Sequence, residues 1–155
     1  MTLEPLALIV DDDPGVTTAL QYRLESIGCR CVVAHTGAQG LAEYQRHEPD
    51  IVLTDGSMPV GDGPALVRSI RAHAQTPIVL LTGNASKYES DMRSDPNVKI
   101  LQKPYDGDVL TALVLTLLGR AQDIDEDADD YEFARTPDGS GQEDSSYDQP
   151  NRSDR

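Results

Sequence analysis

The sequence predicts an α/β fold in which helices cover both faces of a five-stranded parallel sheet. Five short apolar runs alternate with segments whose apolar residues recur at helical spacing, and this strand–helix order spans about 120 residues. The runs are apolar throughout, which is typical of strands buried on both faces. The flavodoxin-like strand order 2-1-3-4-5 is one of two common solutions for such a doubly wound sheet, and the alternation alone does not choose between them.

The first strand and helix have recognisable ends. Residues 6–10 (LALIV) form an uninterrupted apolar run, and residues 14–27 place their apolar side chains at helical spacing. Asp13 is suited to cap this helix, Pro14 to its first position and Gly28 to its end.

The second unit begins with a strand at residues 29–34 (CRCVVA). The helix that follows, residues 36–48, has one apolar side, begins near Thr36 and is ended by Pro49. Residues 51–54 (IVLT) are the third strand, again apolar and short.

The remaining elements repeat the pattern. Pro64 opens the third helix, and residues 77–82 (PIVLLT) are the fourth strand. Residues 85–95 predict only a weak helix because they hold few apolar side chains. A short strand at 98–101 (VKIL) precedes a strongly amphipathic helix at 106–119.

Composition divides the chain into a domain, residues 1–120, and an acidic tail, residues 121–155. The tail holds 12 of the 27 acidic residues but only 3 of the 13 basic ones, and we expect it to be disordered. A net charge of −14 without clustered Lys or Arg argues against direct nucleic-acid binding. Without a long apolar segment or a signal-peptide pattern, we expect a cytoplasmic protein that does not enter membranes.

Polar side chains follow four of the five predicted strands. They are Asp11 and Asp12 after the first, Asp55 after the third, Thr82 at the end of the fourth and Lys103 after the fifth. Ligands of open α/β sheets bind outside the carboxyl ends of the strands, so we expect these groups to converge there. Helix capping, an Asp-Gly turn and ordinary surface positions are the alternatives for single residues, and the set as a whole favours a site.

Clustered carboxylates repel each other, and one should take up a proton unless a cation joins them. Mg²⁺ suits such a site because it binds one or two carboxylates, keeps waters and accepts phosphate oxygens. Lys103 and Thr82 would donate hydrogen bonds to an anion at the same place. A carboxylate can be the nucleophile towards a phosphoryl group, so the pattern predicts phosphoryl transfer through an aspartyl phosphate.

Four segments together resemble the response-regulator receiver domain of two-component signalling. They are VDDDP (10–14), LTDGSMPVGDG (53–63), LLTGNA (80–85) and LQKPY (101–105). The resemblance covers residues 6–119, and its specificity comes from the four segments occurring in order at the strand ends. It implies the flavodoxin-like (βα)5 fold with strand order 2-1-3-4-5.

The resemblance also implies a role for each carboxylate. Asp55 would accept a phosphoryl group from a phosphohistidine of a histidine kinase or phosphotransfer protein. Mg²⁺ would be ligated by Asp12, Asp55 and the backbone carbonyl of Ser57, and Asp11 would act mainly through bound water.

The other motif residues would support the same chemistry. Thr82 would hydrogen-bond the phosphoryl group, and Lys103 would pair with it. Pro59 and Gly63 would shape the loop after the acceptor, and a cis peptide bond would precede Pro104.

Ile100 departs from the family pattern. It lies three residues before Lys103, where the family usually has a Tyr or Phe whose ring turns inward when the switch operates. Because an isoleucine has no ring to turn, we hypothesise that output depends on the fourth helix. The thin apolar face of that helix predicts low local stability, which is usual for a moving element.

The leading interpretation is a single-domain response regulator that switches docking to a downstream protein. It would be no enzyme, beyond assisting its own phosphorylation and dephosphorylation. One alternative is a non-phosphorylated pseudo-receiver interaction module, against which the complete set of Asp, Thr and Lys argues. The other is a Mg²⁺-dependent phosphohydrolase, which would typically carry a second acid where Ser57 stands.

Overall fold

The computed structural model describes residues 4–58, 62–92 and 94–122, and within them it contains the five strands and five helices that the sequence predicts. In chain order the elements are β1 (Leu6–Val10), α1 (Pro14–Glu25), β2 (Arg30–Ala34), α2 (Gly37–His47), β3 (Ile51–Asp55), α3 (Gly63–Arg71), β4 (Ile78–Thr82), α4 (Ala85–Met92), β5 (Val98–Gln102) and α5 (Gly107–Gln122). Pro59 lies outside the described residues, as does the predicted tail from residue 123 onwards.

The five strands form one parallel sheet in the order β2-β1-β3-β4-β5, which confirms the predicted doubly wound fold. The order makes β1 and β3 neighbours although a strand and two helices separate them in sequence. Their register pairs Val10 with Thr54, and the register of β3 with β4 pairs Asp55 with Leu81. The carboxyl ends of these three strands therefore meet at one edge of the sheet.

Two apolar layers hold the sheet between the helices. Every residue of β1, β3 and β4 is buried, and alternate side chains point to opposite faces. One layer joins Leu8, Val52 and Leu80 to side chains of α2, α3 and α4. The other joins Ile9, Leu53 and Val79 to side chains of α1 and α5. The central strands are thus fixed on both faces, and so are the positions of the residues at their ends.

The helix starts follow from local side-chain bonds. The carboxylate of Asp13 accepts a hydrogen bond from the amide of Gly15, and the hydroxyl of Thr36 accepts one from Gln39. The carboxylate of Asp62 does the same for Ala65, so α3 begins at Gly63, one residue before Pro64, the predicted opening residue.

Three helix ends differ from the prediction by more than one residue, and one of them is the end of α4, which lies at Met92 instead of residue 95. Helix α1 ends at Glu25, before the predicted residue 27, because the chain turns through Ser26 and Ile27 towards Gly28, whose φ is +97°. Helix α5 runs to Gln122, beyond the predicted residue 119.

No helix in the described part of the chain combines the length and the hydrophobicity that crossing a bilayer requires.

We predict that Leu53→Ala lowers the free energy of unfolding by about 2–5 kcal/mol, because it leaves a cavity beneath a fully buried strand position. Leu115→Ala is the matched control, since Leu115 is 50% exposed on α5 and its truncation should cost within about 0.5 kcal/mol. Urea unfolding followed by circular dichroism measures both. Equal losses in the two variants would contradict the placement of Leu53 in the core.

Candidate functional site

The sheet order brings the polar residues of four strand ends to one edge. Asp11 and Asp12 directly follow β1, Asp55 ends β3, Thr82 ends β4 and Lys103 directly follows β5. Asp11, Thr82 and Asp55 are buried at 3%, 3% and 8% exposure, whereas Asp12 is exposed. The edge therefore has a buried floor of carboxylates and an open side.

Three carboxylates form a compact cluster. One oxygen from each of Asp11, Asp12 and Asp55 lies within 4.8 Å of the other two. The Oδ1 atom of Asp11 accepts a hydrogen bond from the amide of Asp13 at 2.9 Å. Its Oδ2 atom is buried and has no hydrogen-bond partner among the described residues. A buried carboxylate oxygen without a donor is costly, and a water molecule on a hard divalent cation held by Asp12 and Asp55 would donate a hydrogen bond to it. The oxygen-only donor set fits Mg²⁺.

Lys103 supplies the positive charge that faces this cluster. Its Nζ atom donates a hydrogen bond to Oδ1 of Asp55 at 3.1 Å and lies 3.7 Å from Oδ2 of Asp11. Burial alone would lower the pKa of the lysine, but the hydrogen bond and charge of Asp55, together with Asp11, raise it overall. The ammonium therefore stays charged at neutral pH.

The surroundings of Asp11 disfavour the charged form of its carboxyl group. Burial raises its pKa above the ordinary value of 3.8, and the nearby charge of Asp55 adds to the rise. The amide of Asp13 and the charge of Lys103 oppose this rise without cancelling it. The single ammonium of Lys103 thus leaves part of the negative charge at this edge unbalanced.

Thr82 and two glycines complete the surroundings of Asp55. The Oγ1 atom of Thr82 accepts a hydrogen bond from the amide of Asn84 at 3.0 Å, and its O–H can still donate to an anion. A side chain at Gly63 would overlap the carbonyl oxygen of Asp55, so only glycine fits there. Gly56 is less crowded than Gly63 but still tight, because a Cβ atom would lie 3.1 Å from the Cβ of Thr82.

The resemblance also implied features at Pro104, Ser57 and Pro59. The Lys103–Pro104 peptide bond is cis, as the resemblance implies. Ser57 is exposed two residues past Asp55, and ligation of a metal by its carbonyl stays a prediction. The part expected of Pro59 in shaping the loop concerns a residue outside those described.

Two residues that the sequence did not indicate hold the loops beside the site. The side-chain amide of Gln102 accepts from the amide of Ala85 and donates to the carbonyl of Gly83, both at 2.7 Å, which fixes the loop between β4 and α4. The hydroxyl of Tyr88 donates to the carbonyl of Gly56 at 3.1 Å. Both contacts join residues far apart in sequence, so no local sequence pattern indicated them.

Comparison with known proteins agrees with this architecture. The model of the response regulator receiver domain family matches residues 7–115. Transcriptional regulatory protein CseB of Streptomyces coelicolor is 32% identical over 114 residues, which are 73% of this chain and 49% of that protein. Transcriptional regulatory protein GlrR of Escherichia coli is 36% identical over 105 residues, 66% of this chain and 24% of that protein.

A solved structure gives the same result. The signal receiver domain of an HD domain-containing protein from Pseudomonas fluorescens superposes with a TM-score of 0.71 at 26% identity, over 79% of this chain and 92% of that one. The chain spans about half the length of CseB and a quarter of that of GlrR, so the similarity concerns one domain of those proteins.

We predict that Asp11→Asn raises the free energy of unfolding at neutral pH, without divalent cations, by about 1 kcal/mol. The raised pKa means that the folded chain holds this proton more tightly than the unfolded chain does. The free energy of unfolding therefore falls as pH rises through the folded pKa, and the charged form destabilises the fold at neutral pH. Mg²⁺ should stabilise the native chain more than the variant, as measured by urea unfolding with and without the ion.

Asp50→Asn is the control for this comparison. The carboxylate of Asp50 also accepts a backbone hydrogen bond, from Leu6 at 2.8 Å, but it lies at the opposite edge of the sheet. Its replacement should leave the response to Mg²⁺ unchanged. Loss of stability in Asp11→Asn, or an identical Mg²⁺ response in all three chains, would contradict the placement of a cation beside Asp11.

Proposed function

The chain belongs to the response regulator receiver domain family, and on this premise we propose that Asp55 accepts a phosphoryl group in a Mg²⁺-dependent transfer. The phosphoryl group would come from a phosphohistidine of a histidine kinase or a histidine phosphotransfer protein. Its presence on Asp55 would then switch docking to a downstream protein. The single observation that carries this proposal is the cluster of Asp11, Asp12 and Asp55 facing the ammonium of Lys103.

The groups at this edge of the sheet account for each bond and charge that changes in the transfer. An oxygen of Asp55 attacks the phosphorus, the P–N bond to the imidazole breaks as the P–O bond forms, and the imidazole leaves with the electron pair and takes up a proton. Lys103 pairs with the negative charge on the phosphoryl oxygens, and the O–H of Thr82 donates to one of them. Mg²⁺, held by Asp12, Asp55 and the Ser57 carbonyl, would offset further negative charge on the transferring group.

The geometry also supports the choice of acceptor among the three aspartates. Asp55 has its Oδ1 atom 3.1 Å from Nζ of Lys103, whereas Asp11 lies deeper, and its Oδ2 atom has no hydrogen-bond partner among the described residues. Asp12 is exposed and lies on the outer side of the cluster, where a metal keeps its waters.

We predict that Asp55→Asn abolishes labelling by a small acyl phosphate in the presence of Mg²⁺, because the amide cannot form the acyl phosphate. Intact-mass spectrometry of the full chain measures the labelled fraction. Asp62→Asn is the matched control, since asparagine caps a helix as well as aspartate does and the residue caps α3 beside the same loop. Labelling of Asp55→Asn at the native rate would refute the proposal.

We also predict that Lys103→Gln slows labelling by the same donor at least about tenfold, since a charge facing the transferring group is removed from a partly buried site. Lys99→Gln on β5 is the control and should label at the native rate. A stopped time course read by mass gives both rates. If the two glutamine variants label equally fast, Lys103 does not assist the transfer.

A further inference from the structure

Tyr88 is an unusual member of its helix. Helix α4 has eight residues, of which only Tyr88 and Met92 are buried. Tyr88 is 6% exposed, and its hydroxyl donates a buried hydrogen bond to the carbonyl oxygen of Gly56 at 3.1 Å. Gly56 directly follows Asp55, so a side chain of α4 binds the main chain next to the proposed acceptor.

The bond constrains a whole peptide unit. A peptide group is planar, so fixing the carbonyl of Gly56 also fixes the direction of the Ser57 amide, which points the opposite way. The same carbonyl accepts a second, longer hydrogen bond from the amide of Gly63 at 3.3 Å. The orientation of the chain just after Asp55 therefore depends on donors from α3 and α4.

Gly56 is also closely packed against the side chains of Tyr88 and Thr82. A Cβ atom at Gly56 would lie 3.1 Å from both the Cε2 atom of Tyr88 and the Cβ atom of Thr82, so these two side chains close over the glycine. Interiors packed this closely transmit small displacements. A shift of Thr82 or of Gly56 that accommodates a phosphoryl group on Asp55 must therefore press on, or release, the ring of Tyr88.

A second connection runs from Thr82 to the start of α4. The Oγ1 atom of Thr82 accepts from the amide of Asn84, and the carbonyl of Asn84 accepts from the amide of Lys87 in the first turn of the helix. Helix α4 thus contacts the acceptor region at two points, at its first turn and through Tyr88. Because only two of its side chains are buried, losing one of these anchors changes the local stability of α4 substantially.

Ile100 lies beside this arrangement. It is half-buried on β5 and packs against the apolar layer that contains Tyr88 and Met92. It offers a branched aliphatic side chain and no hydrogen-bonding group. The aromatic ring with a polar tip that reaches the acceptor region comes from α4 instead.

We propose that Tyr88 is a positioning residue that couples the state of Asp55 to helix α4 through the Gly56 carbonyl. This inference rests on the proposed function, because it needs Asp55 to have two states. Phosphorylation moves the Gly56–Ser57 peptide or Thr82, the Tyr88 hydroxyl bond changes, and the helix changes its stability. The coupling is reciprocal, so removing the hydroxyl also alters how firmly the phosphoryl state is held.

Hydrogen exchange of the full chain, with and without Mg²⁺ and beryllofluoride, tests this coupling. Beryllofluoride imitates the acyl phosphate without turnover. In the native chain we expect exchange of peptides covering residues 85–92 to change on adding both reagents. In Tyr88→Phe the ring stays and the hydroxyl is lost, and we expect this change to fall by at least half while labelling of Asp55 by a small acyl phosphate persists.

Two controls separate coupling from a general loss of stability. Tyr44→Phe also removes a hydroxyl that is hydrogen-bonded, here to Thr76, but far from Asp55, and it should keep the native response. Met92→Ala weakens the anchoring of α4 without touching Gly56, so its exchange should be faster in both states while the difference between them persists.

The results distinguish a wrong role for Tyr88 from a wrong function for Asp55. A native-sized exchange difference in Tyr88→Phe would overturn the role of the hydroxyl, and so would a labelled native chain whose α4 exchange does not change. If Met92→Ala loses the exchange difference between the two states as fully as Tyr88→Phe does, Tyr88 acts only by anchoring the helix. A native chain that neither takes the label nor responds to beryllofluoride would instead refute the proposed function itself.

Discussion

Electrostatic repulsion at the carboxyl edge of the sheet is the constraint on which the rest of the site depends. The strand order makes β1 and β3 neighbours, and the sequence ends both with aspartate, so oxygens of three carboxylates lie within 4.8 Å of one another. Lys103 balances only part of this charge, and one oxygen of Asp11 has no hydrogen-bond partner among the described residues. The described residues therefore leave part of the negative charge of the cluster unbalanced. A bound cation would balance this charge.

The two apolar layers on either side of the sheet hold the three carboxylates together despite their repulsion. Residues of β1, β3 and β4 are buried at every position, so the strand ends cannot move apart to relieve the repulsion. The loop after β3 is equally constrained, because Gly63 contacts the backbone of Asp55 where no side chain would fit. Helix α4 is the contrasting element: two of its eight residues are buried, and its contact with the acceptor region runs through Tyr88 and Asn84. A rigidly held Asp55 beside a weakly held helix would suit the switch that we propose.

Much of this could be predicted from the sequence because the signals are local. Apolar runs such as LALIV and IVLT identify central strands, and the polar residues that interrupt them identify the strand ends. The strand order needed the family resemblance, since periodicity does not say which strands pair. The bond from Tyr88 to Gly56 and the clamp of Gln102 on the β4–α4 loop could not be predicted, because they join residues 32 and 17 or 19 positions apart through side-chain directions that only the packed fold determines. The cap at Asp62 was hidden for a different reason, since an aspartate between glycines is equally typical of a turn.

A crystal structure of the chain grown with Mg²⁺ and beryllofluoride tests the central claim most directly. We expect an octahedrally coordinated ion bound by Asp12, Asp55 and the carbonyl of Ser57, with beryllofluoride on an oxygen of Asp55 and within hydrogen-bonding distance of Lys103 and Thr82. An ion bound away from these carboxylates, or beryllofluoride attached elsewhere while Asp55 keeps its contact with Lys103, would contradict it.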